Sequence, residues 1–175
     1  GKTRSKLQTL GDYDYAGEGN GGAAGRRGDK AMCIQVHGDA SVTGQGIVSE
    51  TLTMAYTPNF HVGGSLHLIV NNQVGFTTEA DFGRSYRYCS DVAKTISCPV
   101  LHVNGEDPEA VAIAAKLAVD YRQRFRKDIV IDLICYRKWG HNEMDDPSFT
   151  QPLMYSKINS FQSTPNNYLK KLESM

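Results

Sequence analysis

Four short apolar runs, Met32–Val36, Leu66–Val70, Pro99–Val103 and Ile129–Cys135, are separated by stretches patterned as helix or loop. That alternation leaves few folds open, because strands alternating with helices build a parallel sheet. The last run is apolar nearly throughout, as expected of a strand covered by helices on both faces. Residues 108–125 carry the clearest helical signal: Val111, Ala114, Ala118, Tyr121 and Phe125 step by three, four, three and four, which keeps them on one face. Asp107 is placed to cap that helix and Pro108 to open its first turn. Gly46–Tyr56 reads as a second helix and Ser90–Thr95 as a short third. The expected fold is therefore α/β, a parallel sheet with helices on both faces.

Several classes drop out. Lys+Arg and Asp+Glu both number 19, so the basic excess of a nucleic-acid binder is missing. No apolar stretch has the length needed to span a bilayer. The four cysteines, at 33, 89, 98 and 135, include no CxxC pair. Cys33, Cys98 and Cys135 lie in or beside apolar runs, and buried free thiols are expected. Residues 16–29, AGEGNGGAAGRRGD, hold six glycines and almost no large apolar group, a composition suited to a mobile loop with Arg26-Arg27 solvated. The expected organisation is a flexible lead-in over 1–30, an α/β domain over 31–155, and the start of a following segment over 156–175. The chain begins with Gly1 and stops mid-pattern at Leu172-Glu173-Ser174-Met175, so a piece of a larger protein is expected.

In open parallel sheets ligands bind beyond the carboxyl ends of the strands. The first run leads into His37-Gly38-Asp39-Ala40, the second into Asn71-Asn72-Gln73, and the third into Asn104-Gly105-Glu106-Asp107. The fourth leads into Tyr136-Arg137-Lys138-Trp139-Gly140-His141-Asn142-Glu143. Glycine and polar groups thus gather at one rim. A carboxyl and a carboxamide at adjacent strand ends, Asp39 and Asn72, suit a hard cation with oxygen ligands, and magnesium keeps places for phosphate oxygens and water. The helix from Gly46 is expected to turn its amino end toward a diphosphate. Each piece alone has a plainer reading as a cap or a turn. Gly44-Gln45-Gly46 does not follow its strand directly and has Ser at 49, so it makes a poor dinucleotide fingerprint. His141-Asn142-Glu143 lacks the second histidine of a zinc protease motif.

Taken together the rim residues resemble thiamine-diphosphate enzymes, which carry Gly-Asp-Gly, about thirty residues, then Asn-Asn. Here Gly38-Asp39-Ala40 is followed by thirty residues, 41 to 70, and then Asn71-Asn72. Alanine in third position is similar to the 2-oxoglutarate dehydrogenase branch. HGDASVTGQGIVSET, VNNQVGFTT, HVNGEDPEAV and CYRKWGHNEMDDP extend the likeness from GKTR at 1–4 to TQPLMY at 150–155. Within that group HVGGSLHLIVNN, YCSDVAK, YRQRFRKD and the tryptophan of YRKWGHNE look closer to the mitochondrial 2-oxoadipate dehydrogenase relative.

The resemblance implies a thiamine-diphosphate-binding fold, here its diphosphate-binding domain, with thiamine diphosphate and Mg2+ as cofactors. It implies side-chain ligation of magnesium by Asp39 and Asn72 and carbonyl ligation by Val74, with Ala40 and Ser41 beside the diphosphate. His141 would act near the cofactor and the acyl-transfer path, unless it only orders its loop. His37, His61, His67 and His102 are expected to be structural, although His37 lies close to the rim. Trp139 would either anchor its loop or touch ligand. The implied activity is oxidative decarboxylation of a 2-oxo dicarboxylic acid, 2-oxoglutarate or 2-oxoadipate, as the E1 component of a complex. The acyl group would pass to a lipoyl-bearing E2 acyltransferase. A homodimer in the mitochondrial matrix is implied as well. In this family the acid that activates the cofactor comes from a separate pyrimidine-binding domain, so Glu50 is not assigned that role. The alternative is a non-catalytic α/β binding module on the same fold.

Overall fold

The computed structural model describes residues 31–175 except 59 and 61. The glycine-rich segment of the first thirty residues, with Arg26-Arg27, and His61 lie outside the described residues. In chain order the elements are β1 (Cys33–Gly38), α1 (Asp39–Thr43), α2 (Ile47–Met54), β2 (Ser65–Asn71), β3 (Val74–Gly75), β4 (Thr78–Glu79) and α3 (Ala80–Gly83). A 3-10 helix over Cys89–Ile96 follows, then β5 (Val100–Asn104), α4 (Pro108–Phe125), β6 (Ile129–Ile134), α5 (Pro152–Ser160) and α6 (Thr164–Glu173). α5 spans residue 155, where the sequence reading closes the α/β domain.

Four strands form one parallel sheet in the order β1-β2-β6-β5, and β3 pairs with β4 in a separate antiparallel hairpin. Strand residues alternate between two faces, and each face has its own core. On one, Ile69 and Val130 meet Val42 from α1 and Cys89 and Ala93 from the 3-10 helix, along with Cys98. On the other, Leu66, Ile129, Ile131 and Val103 pack against Ala118 of α4. The expected sheet with helices on both faces is present.

α4 begins where the sequence puts it. The Asp107 side chain accepts hydrogen bonds from the N–H groups of Glu109 and Ala110, both at 3.1 Å, and Pro108 occupies the first helical position. Val111, Ala114, Ala118 and Tyr121 turn inward, but Phe125 is 53% exposed. Its expected place is taken by Arg122, which is 1% exposed and donates from Nε to the Gly64 carbonyl at 3.0 Å and from Nη2 to that of Ala31 at 3.0 Å. A guanidinium serves there because it meets backbone carbonyls that no apolar side chain could satisfy.

β1 also departs from expectation. It is the sheet's edge strand, and Ile34 and Val36 stand 57% and 65% exposed rather than buried. α4 covers β2, β5 and β6 and leaves the β1 side of that face open. Cys33 is exposed and Cys135 half-buried, which corrects the expectation that both are buried; Cys89 and Cys98 are buried, and all four thiols are free.

Candidate functional site

The carboxyl ends of β1 and β2 lie side by side, with Gly38 paired to Val70. Directly after Gly38 the chain turns into α1, so Asp39 is the first helical residue. Its side chain is buried, and the N–H groups of Asp39, Ala40 and Asn72 approach it. Burial pushes the Asp39 carboxyl above its ordinary range; the Arg84 guanidinium and those N–H groups oppose the shift. Arg84 Nη1 stands 3.6 Å from Asp39 Oδ2, and Arg84 Nε is buried without a hydrogen-bond partner.

Val74 reaches the same place through a tight turn. Asn72 Oδ1 accepts the Val74 N–H at 3.2 Å, and Gln73 between them has a φ of 67°, a left-handed conformation uncommon for a residue with a side chain. Gly75 then runs so close to α1 that a Cβ there would meet Ala40 Cβ at 2.7 Å. Only glycine permits that approach, and it brings the hairpin against the Asp39–Ala40 turn. Ala40 and Ser41 are exposed at the rim. The Ser41 hydroxyl accepts from the Gly38 N–H at 3.2 Å and donates to the Gly38 carbonyl at 3.1 Å, closing the first turn of α1. The helix expected from Gly46 begins at Ile47, after Gly44 and a left-handed Gly46. α1, which the sequence reading passes over, therefore occupies the rim position expected of α2.

The fourth strand end supplies His141 in an exposed loop. Its ring meets Phe76, just beyond the hairpin glycine, edge-on at 5.0 Å. Arg137 Nη2 donates to the His141 carbonyl at 2.9 Å, and Nη1 lies 3.3 Å from Nδ1. The loop lines a cleft of about 870 Å³ with Lys138, Trp139, Glu143 and Tyr155. Trp139 is 74% exposed, so its indole is not buried among the described residues.

The other described histidines turn along the sheet rather than to the rim. His37 Nε2 lies 3.2 Å from His67 Nδ1, and His67 Nε2 lies 3.2 Å from Asp128 Oδ1. Burial and the neighbouring His67 both lower the pKa of His37. His102 Nδ1 lies 2.8 Å from Asp132 Oδ2. These contacts tie His37, His67 and His102 to partners within the sheet and its edges.

The structure thus brings together Asp39, Ala40, Ser41, Asn72 and Val74, and sets His141 against the same hairpin. Sequence reasoning missed Arg84, Asp128 and Asp132. Asp132 did leave a signal, as one charged residue inside the apolar run Ile129–Ile134. Arg84 left none, because nothing local marks which arginine folds back onto a strand end. Among the described residues no cluster of three His, Cys, Asp or Glu could hold a metal. The rim offers instead a carboxyl, a carboxamide and a backbone carbonyl, all oxygen donors, which fits magnesium better than zinc.

Comparison with known proteins gives a consistent set. Residues 6–174 match the family described as Dehydrogenase E1 component. The chain is 55% identical over 172 residues to the 2-oxoadipate dehydrogenase complex component E1 of Xenopus laevis, covering 98% of this chain and 18% of that protein. It is 51% identical over 172 residues to the Homo sapiens protein of the same name, again 98% and 18%. It is 53% identical over 143 residues to the mitochondrial 2-oxoglutarate dehydrogenase of Dictyostelium discoideum, covering 82% of this chain and 14% of that protein. The chain spans less than a fifth of the length of these relatives.

Proposed function

This chain belongs to the dehydrogenase E1 component family, and from that we propose that its rim is the diphosphate- and magnesium-binding part of a thiamine-diphosphate-dependent 2-oxo acid dehydrogenase. The observation that carries the reading is the convergence of Asp39, Asn72 and Val74 on one strand-end turn, with Gly75 packed against Ala40. When bound, thiamine diphosphate supplies the electron sink that lets a 2-oxo acid lose carbon dioxide.

The residues of this chain bind and orient. Asp39 and Asn72 would hold Mg2+ through their side chains and Val74 through its carbonyl, and the cation would supply positive charge for a diphosphate. Ala40 and Ser41 flank the diphosphate with small groups that let the backbone approach. Arg84 offsets the negative charge that Asp39 and a diphosphate bring together. His141 stands on the acyl-transfer path and holds or moves a proton there through its imidazole.

The substrate class is a 2-oxo dicarboxylic acid, and the acyl group passes to a lipoyl-bearing E2 acyltransferase. Relatives named for 2-oxoadipate and for 2-oxoglutarate match at 55% and 53% identity. We take 2-oxoadipate in preference to 2-oxoglutarate, a choice supported by relatives of that name in Xenopus laevis and Danio rerio at 55% identity. A homodimer in the mitochondrial matrix completes the reading. The test is turnover of both 2-oxo acids by the full-length protein, followed with an artificial electron acceptor, with and without thiamine diphosphate and Mg2+. Decarboxylation that needs both cofactors is expected, faster with 2-oxoadipate. Turnover indifferent to the cofactors would refute the reading.

A further inference from the structure

One carboxyl interrupts the core beneath this rim. Asp132 lies in β6 and is 0% exposed, with Ile69 in register on one side and His102 on the other. Asn71 Nδ2 donates to its Oδ1 at 3.0 Å, the Cys89 thiol approaches the same oxygen at 3.7 Å, and His102 Nδ1 lies 2.8 Å from Oδ2. Asn71 is itself buried, and its Oδ1 accepts the Gln73 N–H at 3.2 Å. Gln73 is tied a second time, from Nε2 to the Cys135 carbonyl at 2.9 Å, and the Cys135 N–H donates to the Asn71 carbonyl at 2.8 Å. The left-handed turn that presents Asn72 and Val74 is therefore anchored one layer down, on a side chain that touches neither residue.

Burying a carboxyl costs free energy that an apolar residue in a central strand would not. What the carboxyl adds is direction. It accepts from the Asn71 amide, which fixes the amide's orientation and leaves the Asn71 oxygen aimed at Gln73. We infer that Asp132 is a positioning residue of the rim: through Asn71 it sets the turn that carries two of the three oxygen donors for the cation, Asn72 Oδ1 and the Val74 carbonyl. The inference rests on the proposed magnesium and thiamine diphosphate site. Groups behind metal ligands commonly tune affinity by about 10- to 100-fold.

The test uses the full-length protein in four forms: parent, Asn71→Asp, Asp132→Asn and the reciprocal double variant. In Asn71→Asp two carboxyls face each other and the turn loses its anchor. In the double variant the donor and acceptor exchange places, and the second oxygen at position 71 still receives the Gln73 N–H. Calorimetric titration with Mg2+ and thiamine diphosphate gives the affinity, and the thermal midpoint without ligand reports the fold. Asn71→Asp should weaken binding about tenfold or more, and the double variant should return close to the parent. If Asn71→Asp does not fold, Asn71→Ser removes the amide without adding charge and should show the same direction. A purely structural role would lower the midpoint and leave the affinity of the folded protein unchanged, which overturns the inference. A folded double variant that stays weak also overturns it. A parent that shows no magnesium-dependent binding defeats the underlying reading of the rim instead.

Discussion

At Asp128, burial and hydrogen bonding oppose each other. Burial alone would raise its carboxyl, but hydrogen bonds from His67, Tyr56 and the Ser65 N–H together hold it below the ordinary value of 3.8. The folded chain therefore binds this proton less tightly than the unfolded chain. Its stabilisation is fully present above pH 3.8 and is lost as pH falls below that value. Asp128→Asn should flatten the acid limb of a stability curve measured by urea unfolding at stepped pH; a limb as steep as the parent's would contradict the assignment. His141 sits under other constraints, exposed and tied mainly to Arg137. His141→Ala in the full-length protein should slow acyl transfer to a lipoyl acceptor while changing stability by only about half a kcal/mol. Unchanged transfer with a large fall in thermal midpoint would make it a structural histidine. Asp39 and Asn72 were legible as neighbours at adjacent strand ends, while the roles proposed for them and for His141 came from the Gly-Asp and Asn-Asn resemblance. Asp128 and Arg84 were not, since each acts through a partner distant in sequence.

Elements were legible in proportion to their length and regularity. α4 came through with its cap and first residue because eighteen residues repeat one pattern and the capping chemistry is local. The four sheet strands came through to within two residues at either end. α1, the β3–β4 hairpin and α3 did not, because elements of two to five residues are too short for a period. α5 and α6 were passed over for a different reason: α5 buries only Tyr155 and Ile158, and in α6 Leu169 and Leu172 stay exposed, so neither carries a long apolar stripe. Burial was the least legible property, since Phe125, Ile34 and Val36 are apolar residues whose cover depends on which element packs above them. Asp107→Ala removes both cap hydrogen bonds of α4 and should cost about 1 kcal/mol in urea unfolding. A change within error would mean that the helix start is held by tertiary packing alone.

For the molecule as a whole, the proposed donors serve only the diphosphate end of the cofactor. The 175-residue chain by itself should not turn over 2-oxoglutarate or 2-oxoadipate, because orientation at the reacting carbon can account for roughly 7–11 kcal/mol of barrier lowering. Carbon dioxide release from the repurified chain with cofactor and Mg2+ would overturn that expectation. Asp39 is proposed to hold a cation which in turn would hold a diphosphate, and calorimetric titration of thiamine diphosphate into the full-length protein decides this, in parent and Asp39→Ala forms, with Mg2+ and with a chelator. Saturable binding by the parent that disappears with the chelator is expected, and none by a folded Asp39→Ala. Equal affinity in the two proteins would contradict it.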